Sequence, residues 1–235
     1  MSYREEDLTF TAEEFSGRVR LFPLPNLVLF PHVIQPLRVF EPRYVEMFHD
    51  ALDTDRLITM TLLQPGWEND YDGRPPVQPI ACLGRVLTWQ SQPDKQYNLL
   101  LVGLRRVRIL RELPALRSFR EADVELIEDC YPASAVTARP GLHQELLSTF
   151  ESLLPAVDDA SEVFNQPAAR NLSLGTLTDV ISYALDVDLT AKQALLDEVD
   201  VDRRAQMVLS HLAQSTCDSC DTEAAAPFPP SFSVN

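Results

Sequence analysis

Residue types able to do covalent or metal chemistry are few and scattered in this chain. Cys217-Asp218-Ser219-Cys220 has the CxxC spacing of half a zinc site or of a redox dithiol. No second CxxC or Cys/His pair lies near it in sequence, so it reads as two thiols in an acidic tail, and no metal is expected. The four histidines, His32, His49, His143 and His211, stand apart, with no HExxH and no Gly-x-Ser-x-Gly context. Two lysines, Lys95 and Lys192, and seven glycines make no GxxxxGK[ST] phosphate loop. With no nucleophile beside a base and no phosphate cradle, the expectation is a protein that is not an enzyme, without catalytic residues or cofactors.

Binding chemistry is better represented. Arg105, Arg106, Arg108 and Arg111 form a local basic cluster. A basic strand invites an RNA reading in which Arg106 and Arg108 meet phosphate. The stronger reading is a solvated face: at strand alternation Val107 and Ile109 point to the core, Arg106 and Arg108 point outward, and the acids of 121–129 offset them. The connection QPGWENDYDGRPPVQP, residues 64–79, exceeds a hairpin's length. Its Trp67 and Tyr71 are candidate partner anchors, set against the plainer reading that they pack back onto the fold. Phe40-Glu41-Pro42-Arg43-Tyr44 gathers two aromatics and an ion pair. Its structural reading is preferred: Pro42 opens a helix, Glu41 favours the positive end, and the aromatics are core plugs.

The elements that must position these groups follow from periodicity. Short β-type runs separated by Pro, Gly, Asn and Asp predict strands near 18–23, 34–40, 57–63, 80–90, 96–102, 105–112 and 119–128. Ser91 to Lys95 supplies the turn of a hairpin. Tyr44, Val45, Met47, Phe48 and Leu52 recur at helical spacing behind Pro42, inserting one short helix among the strands. After Pro132 the period becomes 3.6. One helix carries Leu142, Leu146, Leu147, Phe150, Leu153 and Leu154 up to Pro155, and a second carries Leu177, Val180, Ile181, Ala184 and Leu185. A third opens at Thr190 with Gln193 as capping-box partner, its core face Leu195, Leu196 and Val199. A fourth, capped by Asp200, carries Arg204, Met207, Val208, His211 and Leu212. Residues 1–17 read as a polar lead-in anchored only by Phe10 and Phe15, and 215–235 as a disordered tail.

Charge narrows the partners. The chain has 20 basic and 35 acidic groups, net −15, a field that repels phosphate backbones and anionic lipid. Residues 1–129 hold 15 basic and 20 acidic groups, residues 130–235 only 5 against 15. No apolar leader or run of about 20 apolar residues is present, and cysteines are sparse, so a cytoplasmic protein without a membrane partner is expected.

Two long blocks, Phe22-Pro23-Leu24-Pro25-Asn26-Leu27-Val28-Leu29-Phe30-Pro31 and Gln35-Pro36-Leu37-Arg38-Val39-Phe40-Glu41-Pro42-Arg43-Tyr44, resemble the opening signature of the Lon N-terminal domain family. Ile80 to Val86, Tyr97 to Ile109 and Lys192 to Arg204 are similar to that family's later blocks, in order and spacing, so the resemblance spans roughly residues 18 to 214. It implies an α+β fold: a PUA-like, mostly antiparallel β-barrel with an inserted short helix over 18–130, then a C-terminal α-helical bundle over 131–214. It further implies a stand-alone, non-catalytic polypeptide-recognition or adaptor protein that binds unfolded or client chains, with a separate protease as the other partner. The alternative is an RNA-binding PUA-like protein using the Arg105 to Arg111 strand. One departure is His32, where the family usually has a small residue, often Gly; it bears on turn geometry.

Overall fold

The computed structural model describes residues 10–12, 15–71, 73–153 and 172–218. They fall into two compact units, one up to Ile127 and one from Glu128 onward. The first contains β1 (Arg18–Leu24), β2 (Ile34–Val39), α1 (Pro42–Leu52), β3 (Leu57–Leu62), β4 (Ile80–Gln92), β5 (Gln96–Glu112) and β6 (Arg120–Ile127). These strands form one six-stranded sheet in the order β2-β5-β4-β3-β1-β6, and β6 also pairs with β5, so the ladder through five strands returns on itself. Only β1 and β3 run parallel, Leu21 opposite Thr59; the other pairings are antiparallel. The mixed sheet with helices is the expected α+β class.

β1 shows how the sheet is covered on both faces. Val19 and Leu21 join a core with Leu83, Val107, Ala122 and Val124. Phe22, on the opposite side by strand alternation, lies 4.5 Å from the Tyr44 ring of α1. Pro42 occupies the first turn of α1, where a missing N–H costs nothing, and Tyr44, Met47, Phe48 and Ala51 are its buried face. Val45 and Leu52 flank that face half-buried.

Two expected strands merge into the single strand β5. Gly103, which read as a break, continues the ladder because bare backbone is needed there: an added Cβ would stand 2.0 Å from the Phe30 carbonyl oxygen. Gly103 donates to Val33 O and accepts from His32 N, both at 2.8 Å. His32 sits at φ 66, so the turn at which it replaces a small residue does demand left-handed backbone. The expected hairpin is present: Pro93–Lys95 form a 3-10 turn with Asp94 and Lys95 at φ 60 and 57.

The second unit holds α2 (Arg139–Leu153), α3 (Leu174–Ala184), α4 (Leu189–Asp197) and α5 (Val201–Asp218). Leu146, Phe150, Leu177, Ile181, Leu195 and Val208 are buried, as the 3.6 period required. Val180 and Val199 are only half-buried and Ala184 is exposed. Asp200 caps α5, its carboxylate accepting from the N–H groups of Asp202 and Arg203 at 3.0 and 3.1 Å. The expected cap at Thr190 is wrong. Asp188, whose carboxylate accepts from Ala191 N at 2.8 Å, starts the helix earlier, and Gln193 turns inward to donate to Asp197. α5 runs past Ser215 into the segment expected as tail, taking Cys217 with it; Cys220, residues 219–235 and most of the lead-in lie outside the described residues.

Candidate functional site

The long 64–79 connection is tied to the Phe40–Tyr44 box. Residues Trp67–Asp70 make a 3-10 turn entered through Gly66 at φ 93. Tyr71, one residue later, donates its hydroxyl to Glu41 Oε1 at 2.6 Å, and its backbone carbonyl accepts from Arg43 Nη1 at 3.3 Å. Arg43 pairs with Glu41 at 2.9 Å while its guanidinium lies over both the Tyr44 and Tyr71 rings, 4.8 and 4.9 Å from their centroids. Trp67 stacks edge-on to Tyr71 at 5.6 Å. Both loop aromatics are half-buried: Tyr71 packs back onto the fold through Glu41 and Arg43, and Trp67 packs on Tyr71.

Burial raises the Tyr71 phenol, helped by its hydrogen bond to Glu41, and burial pushes Tyr44 up much further. Both phenols therefore stay protonated across the neutral range as donors and apolar plates. Glu41 stands at the N-cap position of α1, the positive end it was expected to favour, and its side chain makes no capping bond there but bonds to Arg43 and Tyr71.

The basic strand is a correction. Arg106 is 3% exposed and does not point outward, whereas Arg108 and Arg111 do. Arg106 lies opposite Cys82 and Ile127, and Cys82 is itself fully buried. Phe30 approaches Gly103 on this same side of the strand, 3.1 Å separating an added Gly103 Cβ from Cys82 Sγ. Both faces of β5 are covered there, and alternation cannot separate core from solvent where neither face is wet. Two of the three exposed arginines are paired as the acids of β6 suggested, Arg108 with Glu125 and Arg111 with Asp123, each at 2.7 Å; Arg105 is the third. The four residues singled out by sequence thus split into the Trp67–Tyr71 pair, a paired surface Arg108 and a buried Arg106.

The second unit contains a polar cluster that sequence reading passed over. Arg204 is fully buried, bonded to Asp129 at 3.0 and 2.8 Å, to Thr178 Oγ1 at 3.0 Å and to the Glu198 carbonyl at 2.7 Å, with Asp179 at 3.5 Å. Gly175 makes room for it, since a Cβ there would stand 2.3 Å from Asp129 Oδ2. Only the placement of a charged residue within a helix's apolar stripe hinted at this network. Among the described residues no three His, Cys, Asp or Glu side chains converge as a metal site would require, and no helix is long and apolar enough to cross a membrane.

Comparison with known proteins places this geometry. The family model of the ATP-dependent protease La (LON) substrate-binding domain matches residues 18–214. The chain is 26% identical over 194 residues to the Lon protease of Dictyoglomus thermophilum, covering 83% of this chain and 24% of that protein. It is 26% identical over 206 residues to Lon protease 2 of Myxococcus xanthus, covering 85% and 24%. The chain therefore spans about a quarter of the length of the curated relatives it matches. In fold it is similar to the N-terminal domain of a Mycobacterium avium complex Lon protease, with TM-score 0.66 at 15% identity over 83% of this chain and 98% of the other. It is also similar to a Lon N-terminal domain protein from Xanthomonas campestris, with TM-score 0.58 at 21% identity over 82% and 97%.

Proposed function

We propose, since this chain belongs to the LON substrate-binding domain family, that it recognises polypeptide, binding unfolded or client chains without acting on them chemically and presenting them to a separate protease. The observation that carries this is the family match, continuous from 18 to 214. The returning β-ladder supports a PUA-like barrel over 18–130, and the four helices among the described residues support a helical bundle over 131–214. Trp67 is the residue we assign to client contact: a half-exposed aromatic on a pinned loop gives apolar area at little ordering cost. Tyr71 holds that loop, and Arg108 lies on a charge-balanced surface. The cytoplasm is where such a binder would work.

RNA binding through the β5 arginines is the weaker reading, because Arg106 is buried and Arg108 and Arg111 are already paired with carboxylates. The test is fluorescence anisotropy of a labelled, reduced and alkylated polypeptide titrated with the full chain, beside a labelled RNA at low salt. Saturable binding of the polypeptide, weakened about tenfold in Trp67→Ala, is expected. Failure to bind any unfolded chain refutes the reading. Unchanged affinity in Trp67→Ala removes only the assignment of that residue.

A further inference from the structure

Among the described residues the sheet of the first unit has two open edges, and they are built differently. β2 pairs only with β5 and forms one of them. The other is the far half of β4. β3 covers β4 as far as Arg85, the Arg56 carbonyl accepts from Val86 N at 2.9 Å, and from there to Gln92 the strand pairs with β5 alone.

In an antiparallel ladder the backbone groups of successive residues point to alternate sides. Gly103 turns its N–H and carbonyl toward the β2 side, onto Val33 and His32, so Leu101, Leu99 and Tyr97 do the same and Val102, Leu100 and Asn98 face β4. Thr88 and Gln90, opposite Leu100 and Asn98, therefore spend their backbone groups on β5. Trp89 and Ser91, opposite Leu99 and Tyr97, direct theirs away from the sheet. By the same count Ile34, Pro36 and Arg38 face outward from β2. Pro36 has no N–H to offer and its carbonyl already accepts from Gln35 Nε2 at 2.8 Å, so that edge is closed to a further strand. The β4 edge lacks such a guard: residues 87–92, LTWQSQ, hold no proline and no charge in a chain of net −15.

Trp89 gives this edge a side-chain anchor. It is 40% exposed, its ring edge-on to Phe48 of α1 at 6.1 Å and its centroid 5.7 Å from the Arg56 guanidinium. Resting on the polypeptide-binding reading, we infer that a client docks on the outer edge of β4 at Trp89 and Ser91. An extended client segment adds to the sheet there by main-chain hydrogen bonds while one of its apolar side chains packs on Trp89. Alternating N–H and C=O groups at strand spacing complement another extended backbone whatever its sequence, and backbone is what all unfolded chains share. The edge also matches its occupant in charge: uncharged apolar stretches, the kind that unfolding exposes, lie along residues 87–92 without stranding a charge on either side. This adds a main-chain site to the side-chain contact assigned to Trp67.

The test is Ser91→Pro in the full chain, which removes an N–H that the β5 ladder does not use and so should keep the fold, followed by circular dichroism. In anisotropy with a labelled, reduced and alkylated polypeptide the variant is expected to bind about tenfold more weakly. Amide hydrogen exchange supplies a second measurement that needs no variant. The Trp89 and Ser91 amides should exchange fast in the free chain and about tenfold more slowly in the complex, while the Gln90 amide is slow in both. Undiminished binding by a folded Ser91→Pro, or Trp89 and Ser91 amides that stay fast in a saturated complex, overturns the inference and leaves the polypeptide-binding reading standing. Should Ser91→Pro unfold, the exchange result decides alone. Absence of binding by the unaltered chain overturns both. A dimer of the chain that Ser91→Pro dissociates in sedimentation, with no exchange protection from the polypeptide, makes the occupant a second copy and overturns the inference as well.

Discussion

Arg204 is the position at which the helical unit can be tested most sharply. The substitution Arg204→Met keeps the length and apolar stem of the side chain but removes every bond to Asp129, Thr178 and the Glu198 carbonyl. It leaves Asp179, 1% exposed, without the nearby guanidinium. Breaking a buried ion pair by deleting one partner costs about 3–5 kcal/mol, because the remaining charge stays out of water. With a urea dependence of about 2 kcal/mol per molar, the midpoint followed by circular dichroism at 222 nm should fall by about 2 M, a large part of an ordinary domain's margin. Adding Asp179→Asn should return about 1–2 kcal/mol by discharging a carboxylate buried away from water, whereas Asp129, part-exposed, can be hydrated where it stands. A midpoint for Arg204→Met within about 0.5 M of the unaltered chain, at unchanged slope, would refute the account of a charge-dependent clamp.

Three further outcomes follow from single residues. Gly103→Ala sets a Cβ 2.0 Å from the Phe30 carbonyl oxygen and should cost more than about 3 kcal/mol in urea unfolding, while Gly141→Ala, with nothing within 4 Å, should be neutral or slightly stabilising. His32→Gly, relieving φ 66, should raise stability by up to about 1 kcal/mol, and a loss instead would mean the imidazole's contacts outweigh the strain. Burial pushes the Tyr183 phenol up to about 12, so the folded chain keeps a proton that the unfolded chain releases near its usual 10. That contribution is whole below pH 10 and fades as the pH climbs toward 12, worth about 1–2 kcal/mol after allowance for partial exposure. Tyr183→Phe should flatten this alkaline limb in urea melts across pH 8 to 12, and an unchanged limb counts against it.

Legibility from sequence followed the physics of each signal. Pro42 and the 3.6-period stripe behind it are local facts, and α1 has the expected start and buried face. Asp200 announced its cap for the same reason, whereas Thr190 lost to Asp188 because two capping candidates two residues apart differ by less than their packing decides. The Lon-type blocks were also local, and the family match covers the span they suggested.

What lay beyond the sequence was whatever depends on which elements meet. Alternation placed Arg106 in solvent, but the partner strands and the Phe30 segment cover both faces of β5 there. Gly103 read as a strand break, and only the close approach of another stretch of backbone made it a place where the strand continues. Arg204 stood in the sequence as one charge in an apolar stripe, while Asp129, 75 residues away, made burying it possible. The sequence by itself determined the starts of α1 and α5, the hairpin turn and the family, because capping, φ preference and periodicity act within a few residues. Which charges are buried, which strands merge and how the Trp67 loop is pinned were decided by tertiary structure, since burial and pairing are properties of contacts between distant segments.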